Sequence, residues 1–97
     1  MNLKKFSIII PVYNAENVIS TTLQSVINQY NYYKEYEIII INDGSIDNSK
    51  RVINDVIEKN KKTNISIKVF DTENQGVSCA RNLGIEKANG DYIKNKL

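Results

Sequence analysis

Residues 6–14 read FSIIIPVYN, an apolar and mostly β-branched run that stops at a proline and is followed at once by an aromatic and an amide. A run this short, apolar at successive positions, predicts a strand buried on both faces. Such a strand needs helices above and below it, which commits the chain to a layered α/β architecture. Pro11 has no N–H to give a ladder, so pairing on one side of the strand should stop near it. Tyr13 and Asn14 then stand just past the carboxyl end of a central strand, where open α/β sheets bind ligands.

The rest of the chain alternates between helical and strand patterns. Val18, Ile19, Leu23, Val26, Ile27 and Tyr30 form one stripe at helical spacing, in a helix that begins at Ala15 and Glu16 with Asn14 as its cap. In the tyrosine-rich NQYNYYKEY that follows, Tyr32, Tyr33 and Tyr36 read as cover for the sheet edge or as solvent-facing. Residues 37–41, EIIII, form a second doubly buried strand, and NDGS after it is turn chemistry. Asp47 or Ser45 is placed to cap a second helix, whose inner face is Val52, Ile53, Val56 and Ile57. EKNKKTN at 58–64 reads as a solvated helix end and loop. Ile65, Ile67 and Val69 alternate with Ser66, Lys68 and Phe70, the pattern of a half-exposed edge strand. A third helix runs from about 77 to 88 with Val77, Ala80, Gly84 and Ala88 inward. Gly84 weakens that helix, so close contact with the sheet is expected there. Asn89-Gly90 closes it, and Asp91, Tyr92 and Ile93 begin a fourth strand.

Right-handed crossovers turn this order into a three-layer α/β/α domain with a parallel sheet, strands in the order 3-2-1-4. Residues 1–97 suffice for one such domain. A net charge of +2 is too small to argue for nucleic acid or an anionic membrane. No histidine and a single cysteine, Cys79, exclude Cys–His and Ser–His–Asp catalysis within the chain, internal disulfides and the usual zinc sites. The single thiol fits a reducing compartment. Behind its basic start, the apolar run near the amino terminus is too short for a signal peptide and has no small-residue cleavage site after it.

Three loops, 11–16, 42–47 and 71–81, should meet at the carboxyl edge of the sheet. Together they offer an aromatic plate (Tyr13), an acceptor (Asp43) and a cation (Arg81). That set suits a nucleotide: the base stacks on the ring, its N–H meets the carboxylate, and phosphates approach the guanidinium. Each residue also has a plain reading. Tyr13 can be a surface aromatic and Asp43 before Gly44 a turn residue. Arg81 can pair with Glu86 or Glu73, Asn74-Gln75-Gly76 can be a helix entrance, and Cys79 a small packing residue. A receiver-like interaction module without nucleotide is the alternative, although the first loop offers only Glu16 toward an acidic pocket. A dinucleotide-binding half lacks its GxGxxG, for PVYNAE stands in the first turn.

The segments SIIIPVYNAENVISTTLQSVINQ, EIIIINDGSIDNS and ENQGVSCARNLGIEKANGDYI resemble, in order, the start of the family 2 glycosyltransferases. The resemblance spans residues 6–93. It implies the Rossmann-like, nucleotide-binding half of a GT-A fold, and a nucleotide-diphosphate sugar, UDP-linked by expectation, as donor. It places Pro11, Val12, Tyr13 and Glu16 around the base. Asp43 would take the base N–H, with Gly44 and Ser45 beside it. Asn74, Gly76 and Arg81 fall near the diphosphate and ribose, with Asn82 a weaker candidate.

One departure is informative. In the family, GDYI is followed by an acidic DxD-type motif that holds a divalent metal, Mg or Mn, against the diphosphate. Here GDYI runs into KNKL, so neither a metal ligand set nor a catalytic residue is assigned. Asp91 is expected at the far end of its strand from the nucleotide. The acceptor half, where a glycan or glycoconjugate would bind, has no counterpart in the sequence. The expectation is a truncated, inactive nucleotide-sugar-binding domain, working in the cytoplasm or at the inner face of a membrane and prone to self-association through an exposed sheet edge.

Overall fold

The computed structural model describes residues 5–30, 35–63 and 65–96. The expectations for Tyr32, Tyr33 and the Tyr30 side chain lie outside what is described. The elements run β1 (Phe6–Val12), α1 (Ile19–Tyr30), β2 (Tyr36–Asp43), α2 (Ser49–Lys59), a 3-10 turn (Lys61–Thr63), β3 (Ser66–Thr72), α3 (Val77–Lys87) and β4 (Tyr92–Asn95). All three strand pairings are parallel and the order is β3-β2-β1-β4, as the sequence predicts. Among the described residues no helix is long and apolar enough to cross a membrane.

The two isoleucine strands occupy the middle because each face of each is covered. Ile8, Ile10, Val12, Ile38 and Ile40 pack under α1 and α2 with Leu23, Ile27, Ile53 and Val56. On the opposite face Ile9, Ile39 and Ile41 meet Ala80 of α3, with Phe70, Leu83 and Ala88 around them. Ile8, Ile9, Ile10 and residues 38–41 are at most 1% exposed. Each such side chain is worth about 1.5–3 kcal/mol when fully buried, so this apolar layer dominates the stabilisation of the sheet. β3 has one partner strand and is partly exposed along most of its length, as its alternation predicts.

Pro11 limits the ladder on one side. Phe6 N–H donates to Glu35 O toward β2, while Lys96 N–H donates to Ile9 O on the β4 side. Alternation therefore points the Pro11 nitrogen toward β4, where pairing ends at Ile9. On the β2 side the pairing continues to Val12.

Several local expectations are corrected. α1 starts at Ile19, because Asn14 turns the chain with φ 47 and a tight turn over 15–18 follows. Val18 lies in that turn and is 58% exposed rather than part of the buried stripe. Tyr36 opens β2 and is buried in the core under α1 and α2, because it sits on the same face as Ile38. Cys79 is exposed, on the outer side of α3. Val77 is exposed as well, since the helix meets the sheet only from Ala80 onward.

Asn89 and Gly90 do not form a left-handed helix end. Ala88 is extended, and the next two amides dock on the sheet: Asn89 N–H donates to Glu37 Oε2 (2.7 Å) and Gly90 N–H to Ser7 Oγ (2.8 Å). The Ser7 hydroxyl in turn donates to Glu37 Oε2 (2.6 Å), and Lys68 Nζ stands 3.3 Å from Oε1. Burial alone would raise the Glu37 carboxyl, but Ser7, the Asn89 amide and Lys68 outweigh it and hold it below its usual value. Gly84 is where α3 presses on the sheet: a Cβ there would lie well under 3.0 Å from Ile9 Cγ2.

Candidate functional site

The three loops of the carboxyl edge are tied together by side chains that serve as acceptors for backbone amides. Loop 13–18 and the loop between β2 and α2 clasp each other. Asn14 N–H donates to Ser45 Oγ (3.0 Å), and Ile46 N–H donates back to Asn14 Oδ1 (2.9 Å). Ala15 N–H donates to Ser49 Oγ (2.7 Å) and Glu16 N–H to Asp47 Oδ2 (3.2 Å). The first amides leading into α1 are therefore satisfied from a different loop, and Asn14 does not cap α1 as its position suggests. Asp47 Oδ1 also accepts Ser49 N–H at the head of α2 (2.9 Å). Burial would raise the Asp47 carboxyl, but these hydrogen bonds hold it below its usual value.

Asp43 ties the second loop to the third. It ends β2 and is 3% exposed. Its Oδ1 accepts the Thr72 hydroxyl (2.9 Å) and Gln75 N–H (3.0 Å), and its Oδ2 accepts Gly76 N–H (2.9 Å). Burial would raise its carboxyl, and these three donors outweigh that and leave it below the usual value. Asp43 thus remains an anion while it shapes the entrance of α3. Two glycines permit this arrangement. Gly76 has φ 102, and Gly44 has φ 73 with its α-carbon against Asn74, where a Cβ would be 2.6 Å from the Asn74 nitrogen.

A pocket of about 160 Å³ opens where the loops meet, lined by Pro11, Val12, Tyr13, Asp43, Asn74, Gly76, Val77 and Ala80. Ordinary ligand clefts are about 300–1000 Å³, so this one suits a single planar ring better than a whole nucleotide. Tyr13 is half exposed at the rim. Six of the residues singled out in the sequence, Pro11, Val12, Tyr13, Asp43, Asn74 and Gly76, come together there. Val77 and Ala80 join them although the sequence suggested only core packing; a small residue on the first turn of a helix that follows a glycine is the signal that could have pointed to them. Gly44, Ser45 and Glu16 do not line it: Gly44 lies against Asn74, and Ser45 and Glu16 belong to the clasp between the first two loops.

Arg81 follows Ala80 in α3 but is not part of the lining. Among the described residues it forms no ion pair, so the expected pairing with Glu86 or Glu73 is absent. Glu86 is five residues on and faces away from Arg81 on the helix. The Arg81 Nε is buried and has no hydrogen-bond partner. Asp71, at the end of β3, is turned to the α2 side, where Lys50 Nζ (2.9 Å) and Asn42 Nδ2 (3.0 Å) hold its carboxyl below the usual value. Asp91 Oδ2 accepts the Lys5 backbone N–H (3.1 Å) at the opposite end of the sheet. No three acidic or thiol side chains gather into a metal-holding group among the described residues.

Comparison with known proteins gives a consistent picture. The model of the family described as Glycosyl transferase family 2 matches residues 7–94. An uncharacterized glycosyltransferase of Haemophilus influenzae is 46% identical over 93 residues, which cover 96% of this chain and 35% of that protein. S. aureus TarS 1-349 in complex with UDP aligns with a TM-score of 0.79 at 29% identity, over 95% of this chain and 26% of the other. The mannosyltransferase PcManGT from Pyrobaculum calidifontis, in complex with GDP-Man and Mn2+, aligns with a TM-score of 0.82. At 20% identity, over 96% of this chain and 27% of that one, this is a likeness of fold. The chain spans about a third or less of each of these proteins.

Proposed function

The chain belongs to glycosyl transferase family 2, and on that footing we propose that its carboxyl-edge pocket takes the nucleoside end of a nucleotide-diphosphate sugar, UDP-linked by preference. The observation that carries the reading is the meeting of Tyr13, Asp43 and Asn74, from three separate loops, around one ring-sized pocket. The half-exposed Tyr13 ring supplies a stacking face. A carboxylate has about four acceptor positions. Three at Asp43 are taken, which leaves one on Oδ2 for a base imide N–H. Pro11 and Val12 wall the ring. Asn74 and Gly76 line the same pocket and would face the ribose and diphosphate, and Arg81, next to the lining residue Ala80 in α3, is the cation a diphosphate would meet. Glu16, Gly44 and Ser45 hold the surround.

For this chain by itself the reading stops at donor binding. Among the described residues no three carboxylate or thiol side chains come together to hold a divalent cation. Asp43 is the acid that lines the pocket, and its donors commit it to structure rather than to deprotonating an acceptor. Transfer of the sugar to a glycan or glycoconjugate is the activity we assign to the longer architecture of the relatives, on the cytoplasmic side of a membrane. The outer edge of β4, whose four residues are exposed, is the surface through which this chain would self-associate.

Titration calorimetry with UDP tests the reading. Binding heat is expected for the wild type, a loss of at least about fivefold in affinity for Tyr13→Ala, and no measurable binding for Asp43→Ala. A silent wild type, or two variants that bind as the wild type does, would refute it.

A further inference from the structure

We infer that Asn14 is a positioning residue of this pocket, holding the Tyr13 loop and the Asp43 loop as one preformed unit; the inference rests on the nucleotide reading above. Asn14 is the one described residue other than glycine with a positive φ, at 47. Its backbone N–H is held by Ser45 Oγ and its side-chain oxygen holds Ile46 N–H. Residue 14 is therefore gripped at two points by two consecutive residues of the other loop. Tyr13 immediately precedes it and Asp43 lies two residues before Ser45, and both line the pocket.

The direction of the Tyr13 ring follows from this grip. The side chain is half exposed at the pocket rim, so little packing fixes it, and the orientation of its backbone is set by the left-handed residue that follows. Asparagine combines the two properties required. Its short amide tolerates that backbone conformation better than most side chains do, and it carries an acceptor that reaches a neighbouring amide. Without its side chain the clasp keeps the bonds of Ala15 to Ser49 and of Glu16 to Asp47 but loses the one to Ile46 and the relaxed left-handed turn, so the rim is held less firmly against the floor of the pocket. A ligand would then have to order both loops on binding, which lowers affinity without removing any direct contact. Asn14 does not line the pocket, so its effect is transmitted through Tyr13 and Asp43.

The test uses the whole chain with UDP as the probe, in calorimetry and amide hydrogen exchange, on the wild type, Asn14→Ala, Asn14→Gly and Asn14→Asp. Alanine loses both the backbone tolerance and the acceptor. A penalty of about 1–2 kcal/mol for a left-handed non-glycine residue corresponds to roughly a 5- to 30-fold loss of UDP affinity. Glycine restores the backbone but not the bond to Ile46 and should fall between. Aspartate keeps both and should return to within about fivefold of the wild type, the cost of an added surface charge. In the alanine variant, exchange should quicken at the amides of residues 14–16 and 46 and stay unchanged in the β1–β2 ladder. Wild-type affinity in Asn14→Ala, failure of aspartate to rescue, or quickened exchange throughout the ladder would overturn the inference. If the wild type itself shows no heat with UDP, the nucleotide reading fails, and the inference about binding fails with it.

Discussion

Gly84→Ala tests how α3 is seated and what that seat does for the pocket. An alanine Cβ would sit well under 3.0 Å from Ile9 Cγ2 and 3.2 Å from both Cγ1 and Cδ1, whereas ordinary contact begins at 3.4 Å. Ile9 has nowhere to retreat, being 0% exposed in a central strand and packed with Ile39, Ile41 and Ala80. The helix must therefore rise from the sheet. Overpacking of this kind costs about 1–3 kcal/mol, and a gap of about 0.5–1 Å forfeits a quarter to a half of each contact it opens. Alanine returns about 1 kcal/mol through its better helix propensity. The net expectation is a loss of up to about 2 kcal/mol, a fall of up to roughly 15 °C in melting temperature for a domain of this size. Ala80 lies one turn before Gly84 and lines the pocket, so the same rise should weaken UDP binding. Calorimetric melting of Gly84→Ala, Ile9→Ala and the double variant gives the coupling. In the double variant the cost at Gly84 should largely vanish, because the methyl groups it strikes are gone. Melting of Gly84→Ala above the wild-type temperature would refute the close contact, and additive costs would place the clash elsewhere.

Acid should destabilise the fold in a defined direction. Glu37, Asp43, Asp47 and Asp71 are all held below their ordinary values of 4.5 for glutamate and 3.8 for aspartate. Stability from such groups is fully present above the unfolded-state value and is lost as pH falls through the lower folded-state value. Urea midpoints should therefore be level above about pH 5 and fall below about pH 4. Glu37→Gln should start lower at neutral pH and fall less steeply, and parallel curves for the two proteins would count against a buried Glu37 anion. Self-association through β4 predicts concentration-dependent light scattering that Ile93→Lys suppresses; a monodisperse monomer at every concentration would exclude it.

The strand order was legible because three local patterns agree. Two runs of consecutive isoleucines demand cover on both faces, the alternation at 65–70 demands an edge, and Pro11 ends one ladder. The inward glycine of α3 was legible too, since a helix-weakening residue on an inner face needs a steric reason. The contacts made across long sequence separations were not. Asn14 preceding a helical stripe reads as a cap, yet its partner is Ile46, 32 residues away. Asn89-Gly90 reads as a helix end, yet its amides find Ser7 and Glu37 on neighbouring strands. In each case local propensity named the right kind of interaction and tertiary structure supplied a different partner. The carboxyl-edge location of the pocket follows from the fold class, whereas the recruitment of Val77 and Ala80 depends on where α3 first touches the sheet.

The buried bond between Ser7 and Glu37 answers a difficulty that the isoleucines create. Three of them lie against four, and nothing in their shape distinguishes one from the next. Sliding one strand by two positions would keep every side chain on its own face and leave the core almost as greasy as before. What cannot slide is the charge. Displaced by two against β1, Glu37 would lose the hydroxyl 2.6 Å away and leave that buried oxygen without its donor, while Lys68 reaches only the other one. A polar pair at one end thus serves as the alignment mark for a stretch of sequence that carries none.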